Sequence, residues 1–133
     1  MGRPDYRDPI EIEAERAAGC YVPPVGRKDD TGKLRMELLM DMPRAMKGVA
    51  EVLHWAVTHK KPVPYVPGSW QQVDEYYRRY MGALKRHQNN IETNGQFAHD
   101  AETELLDLKH LACDVMIILE LTMRELEAKR DAA

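Results

Sequence analysis

An all-α fold, a bundle of four main helices, is predicted by three features of this 133-residue sequence. Apolar residues recur at helical spacing in four segments, prolines and glycines fall between those segments, and no stretch alternates like a half-buried strand. Hydrophobic residues make up 44% and charged residues 31%, which is enough for a core and too apolar for a disordered tail.

Taken in order, residues 1–27 form an irregular arm. Pro4, Pro9, Pro23 and Pro24, with Gly19 and Gly26, exclude one long helix there. The piece from Pro9 to Ala18 can be a short helix, with Pro9 in its first turn and Glu11, Glu13 and Glu15 following favourably. A helical domain, 28–133, follows. Leu34, Leu38, Leu39 and Met42 repeat at helical spacing until Pro43, which can itself open a second helix reaching about Lys60. Pro62, Pro64 and Pro67 make Lys61 to Gly68 an extended loop. Ser69 and Gln72 have capping-box spacing, and Val73, Tyr76, Tyr77, Tyr80, Met81 and Leu84 give an apolar face to about Gln88. Asn94-Gly95 breaks the chain. The last helix is predicted to open near Asp100 as N-cap and to carry Leu105, Leu108, Leu111, Ala112, Val115, Ile118, Leu119 and Leu126 towards Ala133.

A formal charge of −3 gives no bulk attraction to nucleic acid or to an anionic membrane. An anionic ligand must therefore be held by local cations or by metal. Cys20 and Cys113 lie far apart and read as reduced thiols rather than a zinc knuckle. The longest aliphatic run, Val115 to Leu119, is far short of the ~20 residues of a membrane span, and the N-terminus has no signal-peptide core. A cytoplasmic protein is expected. With nine aromatics, so small a helical domain is also expected to complete its core by self-association, as a dimer or tetramer.

Three sets of residues could carry chemistry. Asp107, His110 and Asp114 fall within about 60° of one another on the stripe that also holds Leu111, Ile118 and Leu121, while Lys109, Met116 and Glu120 lie opposite. A carboxylate among such neighbours costs several kcal/mol unless paired or metal-bound, so the stripe reads as a metal or catalytic site, or else as a buried salt bridge or interface pair. Glu104 sits one turn earlier, and Glu102 lies near the helix start. In the second helix, Glu51 shares a face with Lys47, His54, Trp55 and Thr58, opposite Val49, Val52, Leu53 and Ala56; that face can equally be solvent. The loop Lys28-Asp29-Asp30-Thr31-Gly32-Lys33-Leu34-Arg35 gathers Lys28, Lys33 and Arg35 around a turn glycine, an arrangement that suits an oligophosphate and is also compatible with a plain charged turn. Lys85-Arg86-His87 is a further basic cluster. His99-Asp100 has the dipeptide of HD-class phosphohydrolases, although Asp100 as an N-cap explains it more simply.

In this order, the segments resemble the dATP/dGTP diphosphohydrolase family of phages and bacteria, among the MazG-like all-α nucleoside triphosphate pyrophosphohydrolases. The resemblance runs from residue 28 to 121. It rests on Lys28 to Arg35, on Val49-Ala50-Glu51-Val52-Leu53, on Ala83-Leu84-Lys85-Arg86-His87, and on Asp100-Ala101-Glu102-Thr103 followed by His110-Leu111-Ala112-Cys113 and Leu119-Glu120-Leu121. Asp107 stands where many members have His, and Asp114 where many have Asn. Glu104-Leu105-Leu106-Asp107 fits the Glu-x-x-Asp half of the MazG signature, and Glu51-Val52-Leu53-His54 fits only the first position of its Glu-x-x-Glu half. The chain also resembles the short MazZ enzymes with which phages of 2-aminoadenine genome make dGMP from dGTP.

The resemblance implies a MazG-like bundle that splits a purine dNTP, dGTP before dATP, into the monophosphate and pyrophosphate. It implies two or three Mg²⁺ or Mn²⁺ ions held among Glu51, Glu104, Asp107, His110 and Asp114, with Glu51 and Asp107 catalytic. Lys28, Asp30, Lys33, Arg35 and Arg86 would bind the substrate, and Trp55 or Trp70 could stack on the base. Two other readings stand beside it. One is an HD-type triphosphohydrolase using His99, Asp100 and Asp114; the other is a non-catalytic helical interaction module in which Asp107 and Asp114 pair with cations.

Overall fold

The computed structural model describes residues 7–22 and 26–133; Pro4, Pro23 and Pro24 of the arm lie outside them. The chain divides into two compact units, 1–35 and 36–133. In the first, helix α1 (Pro9–Ala17) starts with proline in its first turn, and the Asp8 carboxylate accepts the Ile10 N–H at 2.9 Å. The Lys28 to Arg35 loop, expected to open the larger domain, is grouped with this unit. Asp29 accepts the Thr31 N–H at 2.9 Å and the Lys33 N–H donates to the Asp30 carbonyl at 3.0 Å, with Gly32 at φ 75 taking the left-handed position of the turn.

The second unit is built on three helices, α2 (Pro43–His59), α3 (Tyr76–Asn94) and α4 (Asp107–Ala132), with α4 packed against both others. Val49 of α2 meets Cys113 and Ile117 of α4 in the buried centre, and Val52, Trp70, Tyr80, Ala112 and Leu121 close around them. Gly48 lets α2 approach closely, since a Cβ there would stand 3.1 Å from Lys109 Cγ. Among the described residues no strand forms beyond one isolated bridge between His99 and Leu106, and no helix is long and apolar enough to cross a membrane.

The all-α class is as expected, but three elements differ. The first of the four main helices, Leu34 to Met42, is instead a six-residue 3-10 stretch, Met36–Asp41, whose Leu38, Leu39 and Met40 are exposed. Pro43 disfavours α geometry at Met42, and so short a segment cannot offset the cost of its own nucleation. The Ser69–Gln72 segment is likewise a 3-10 turn rather than a capping box; Val73 is extended, and α3 starts only after Glu75 at φ 51. That helix then runs past Gln88 to Asn94, where Gly95 at φ 93 ends it and donates its N–H to the Ile91 carbonyl at 2.7 Å.

The third difference matters most for the site. Asp100 does not cap α4. Its Oδ2 accepts the N–H groups of Glu102 (3.1 Å) and Thr103 (2.9 Å) in a separate turn, and Glu104 at φ 63 prevents that turn from propagating into a helix. The loop folds back on itself through Asp100 N–H to Leu105 O (2.8 Å) and Asp107 N–H to Ala98 O (2.9 Å). Ile117→Ala should lower the free energy of unfolding by about 2–4 kcal/mol in denaturant titration. Glu120→Ala, which removes an exposed pair with Arg124 at 2.7 Å, should stay within about 0.5 kcal/mol.

Candidate active site

Asp107, in the first turn of α4, is 1% exposed. A carboxylate at such depth must be partnered, and α3 supplies the partners. His87 Nδ1 stands 2.7 Å from Asp107 Oδ1, and Asn90 Nδ2 donates to Oδ2. His87 and Asn90 are three residues apart, on one face of α3. Asn94 Nδ2 in turn donates to Asn90 Oδ1 at 2.6 Å. Three residues after Asp107, His110 stacks on His87 with ring centres 4.4 Å apart and planes 8° from parallel, and its Nε2 lies 2.6 Å from Thr103 Oγ1.

The loop before α4 completes the group by placing Asp100 Oδ1 3.8 Å from His87 Nδ1. Ligand atoms of His87, Asp100 and Asp107 all lie within 4.8 Å of one another, close enough to share one cation. Burial raises the Asp100 carboxyl, but the Thr103 N–H and the nearby imidazoles of His110 and His87 outweigh it and hold the group below the usual aspartate value. His110 is lowered by burial first and by His87 second, which favours its neutral ring.

A cavity of about 660 Å³ opens between α2, the segment 65–73, α3 and α4. Its apolar lining includes Leu53, Val57, Trp70, Val73, Tyr80 and Ala83; its polar lining includes His54, Arg79, Arg86 and Asp114. Asp114 lies seven residues after Asp107, on the same stripe of α4 and about 10 Å along its axis. Its Oδ2 is buried without a hydrogen-bond partner among the described residues. Burial pushes this carboxyl up to about 6, against the opposing charges of His87 and Arg86. Tyr80 is raised too, by its own burial and by Asp114.

The candidates read from the sequence therefore fall in several places. Asp107 and His110 come together as their spacing predicts, and Asp100 joins them. Glu51 does not: its carboxylate accepts a 2.8 Å hydrogen bond from Lys109, which holds it below the usual glutamate value. Lys109 is two residues from Asp107 and so points to the opposite side of α4. Glu104 is exposed on the loop, and Asp114 faces the cavity instead of the His87 group. Arg86 also lines the cavity, whereas Trp55 is half-buried on α2 with its ring 6.4 Å from that of His59; Trp70 is the cavity's tryptophan. Lys28, Asp30, Lys33 and Arg35 belong to the first unit. Of the HD dipeptide, Asp100 enters the group, while His99 is exposed and accepts from Asn90 through its backbone carbonyl at 3.4 Å.

His87 as the partner of Asp107, with Asn90 and Thr103, was not found from sequence. The readable signal was the polar series His87, Asn90 and Asn94 at helical spacing, hidden because α3 was expected to stop at Gln88. The family described as dATP/dGTP diphosphohydrolase, N-terminal, matches residues 24–131. The chain belongs to that family. The match spans the His87–Asp100–Asp107 group and the whole cavity lining of this dATP/dGTP diphosphohydrolase family member. No curated protein and no solved structure matches the chain.

Two stability outcomes follow from these environments. Asp107→Ala leaves His87 and Asn90 without their buried acceptor and should cost about 3 kcal/mol in denaturant titration. Asp114 has the opposite sign. Its folded pKa is raised, so its favourable contribution is complete below the unfolded value near 3.8 and is lost as pH rises through about 6. Asp114→Asn should thus raise the melting temperature relative to the parent by an amount that grows between pH 4 and 7 and then levels, measured by calorimetry across pH.

Proposed function

We propose that the protein is a metal-dependent pyrophosphohydrolase of purine deoxynucleoside triphosphates, dGTP above dATP, releasing the monophosphate and pyrophosphate. The observation that carries this reading is the convergence of His87, Asp100 and Asp107 two helical turns from a nucleoside-sized cavity, in a chain of the dATP/dGTP diphosphohydrolase family. Two carboxylates and an imidazole suit Mn²⁺ or Mg²⁺, and these three residues would hold the ion. A bound divalent ion lowers the pKa of an attacking water and neutralises charge developing on the leaving pyrophosphate.

The other residues bind and orient. Asn90, itself held by Asn94, fixes the plane of the Asp107 carboxylate, and Thr103 fixes the ring of His110. Arg86, at the cavity, offers its guanidinium to phosphate oxygens, for which a planar fork is suited. The third reading, an interaction module, makes the Asp107 pair purely structural; it leaves the three-fold convergence with Asp100 unexplained. Self-association, as a dimer or tetramer, is supported by Leu108, Val115, Leu119 and Leu126, which lie exposed on one stripe of α4 and would be covered by a second copy. If the MazZ likeness extends to biology, the reaction serves nucleotide metabolism in a phage with 2-aminoadenine DNA, in the host cytoplasm and without membrane or nucleic-acid partners.

Incubation with dGTP and Mn²⁺, followed by chromatography, should yield dGMP and pyrophosphate, and excess chelator should stop the reaction. Deoxyguanosine with tripolyphosphate would point to the HD-type chemistry instead. Release of neither from any purine dNTP would leave the non-catalytic module.

A further inference from the structure

The cavity holds a carboxylate that the hydrolytic group does not use. Asp114, on α4, lines this cavity together with Trp70, Tyr80 and Leu53, and its Oδ2 has no partner among the described residues. Free proteins rarely leave such an atom unpaired, because each one keeps the cost of its desolvation. The carboxylate that carries this buried oxygen lines a ligand-sized space, and the unpaired acceptor is explained if the group turns to meet a ligand donor. The cations nearby do not: neither Arg79 nor Arg86 is hydrogen-bonded to it, although both line the same cavity.

We infer that Asp114 is the residue that selects guanine, its two carboxylate oxygens accepting the N1–H and the 2-amino group of the base while Trp70 and Tyr80 flank the ring. This rests on the pyrophosphohydrolase reading and names the specificity element of the same site. Guanine presents two adjacent donors on that edge, and an ionised carboxylate is a pure double acceptor, so the two match without either partner changing protonation. Adenine presents a lone pair at N1 beside its 6-amino group, and the same carboxylate would face that lone pair with an unanswered acceptor. The torsion that turns a carboxylate plane is broad, so both oxygens can be presented as the base enters.

The spacing agrees with such a pose. Asp107 and Asp114 share one stripe of α4 and are separated by two turns, about 10 Å along the axis. That is the order of the reach of a nucleoside from its base edge to its first phosphate, so a base on Asp114 sets the phosphates towards His87, Asp100 and Asp107. Aromatic side chains supply the sequence-independent part of base binding, and the polar edge supplies the choice.

The test compares kcat/KM for dGTP and dATP in the parent protein and in Asp114→Asn. The parent must first hydrolyse a purine dNTP to the monophosphate; if it does not, the pyrophosphohydrolase reading falls, a result distinct from those below. Given turnover, Asp114→Asn should reduce the dGTP-to-dATP ratio at least about tenfold, because an amide carries one donor and one acceptor and meets adenine better than guanine. An unchanged ratio overturns the assignment. Should the variant not fold, dITP on the parent decides: it keeps N1–H and lacks the 2-amino group. Turnover of dITP clearly below that of dGTP supports the inference, and equal kcat/KM for the two overturns it.

Discussion

The burial of the Asp107 carboxylate is the constraint on which the rest of the second unit turns. An ionisable oxygen pair at 1% exposure is tolerated only with its acceptors filled, and the two donors that fill them stand three residues apart on α3. This sets the register of α3 against α4, since sliding either helix by one residue would carry His87 and Asn90 off the facing stripe. It also constrains the loop before α4. Ala98 must bring its carbonyl to the Asp107 N–H, and that same fold delivers Asp100 to His87 and Thr103 to His110. A structural requirement and a cluster of metal-type donors are thereby met by one set of contacts.

Much of this was legible in the sequence, and the illegible part has physical causes. Apolar periodicity located α2, α3 and α4, because each buries one stripe on its neighbours. The grouping of Asp107 with His110, and of Lys109 on the far side, followed from 100° per residue alone. What periodicity does not report is where a helix stops. Asp100 has the chemistry of an N-cap and does cap, but the turn it caps ends at Glu104, whose left-handed backbone no residue-type rule anticipates for glutamate. Extending α4 back to Asp100 would have kept that carboxylate on the stripe of Asp107 but about 10 Å from it along the axis, out of reach of His87.

The same limit hid the partner side. With α3 ended at Gln88, His87 falls in a basic last turn, where a cation needs no explanation beyond the helix dipole. Once the helix continues to Asn94, His87 lies near its middle and Asn90 shares its face. Glu51 illustrates the converse. Its family-like position marked it as a ligand, yet its nearest charge is Lys109, and both partners keep about a third of their surface in water. An ion pair with that exposure contributes little to stability, so its place between α2 and α4 says more about alignment than about energy.

Asp107 and Asp114 show how one helix stripe gives two carboxylates different tasks. Asp107 is fully buried, and each of its oxygens already has a partner from α3 in the free protein. Asp114 is less deeply placed, but its Oδ2 has no hydrogen-bond partner among the described residues, and burial raises its carboxyl to about 6 against the charges of His87 and Arg86. Local violations of polar satisfaction concentrate where a ligand will later supply the missing group, because selection retains the cost only where binding recovers it. In the inferred pose, the guanine edge would supply two donors at once. A core built for stability alone would carry leucine at 114, which would remove the unpaired acceptor from among the residues that line the cavity.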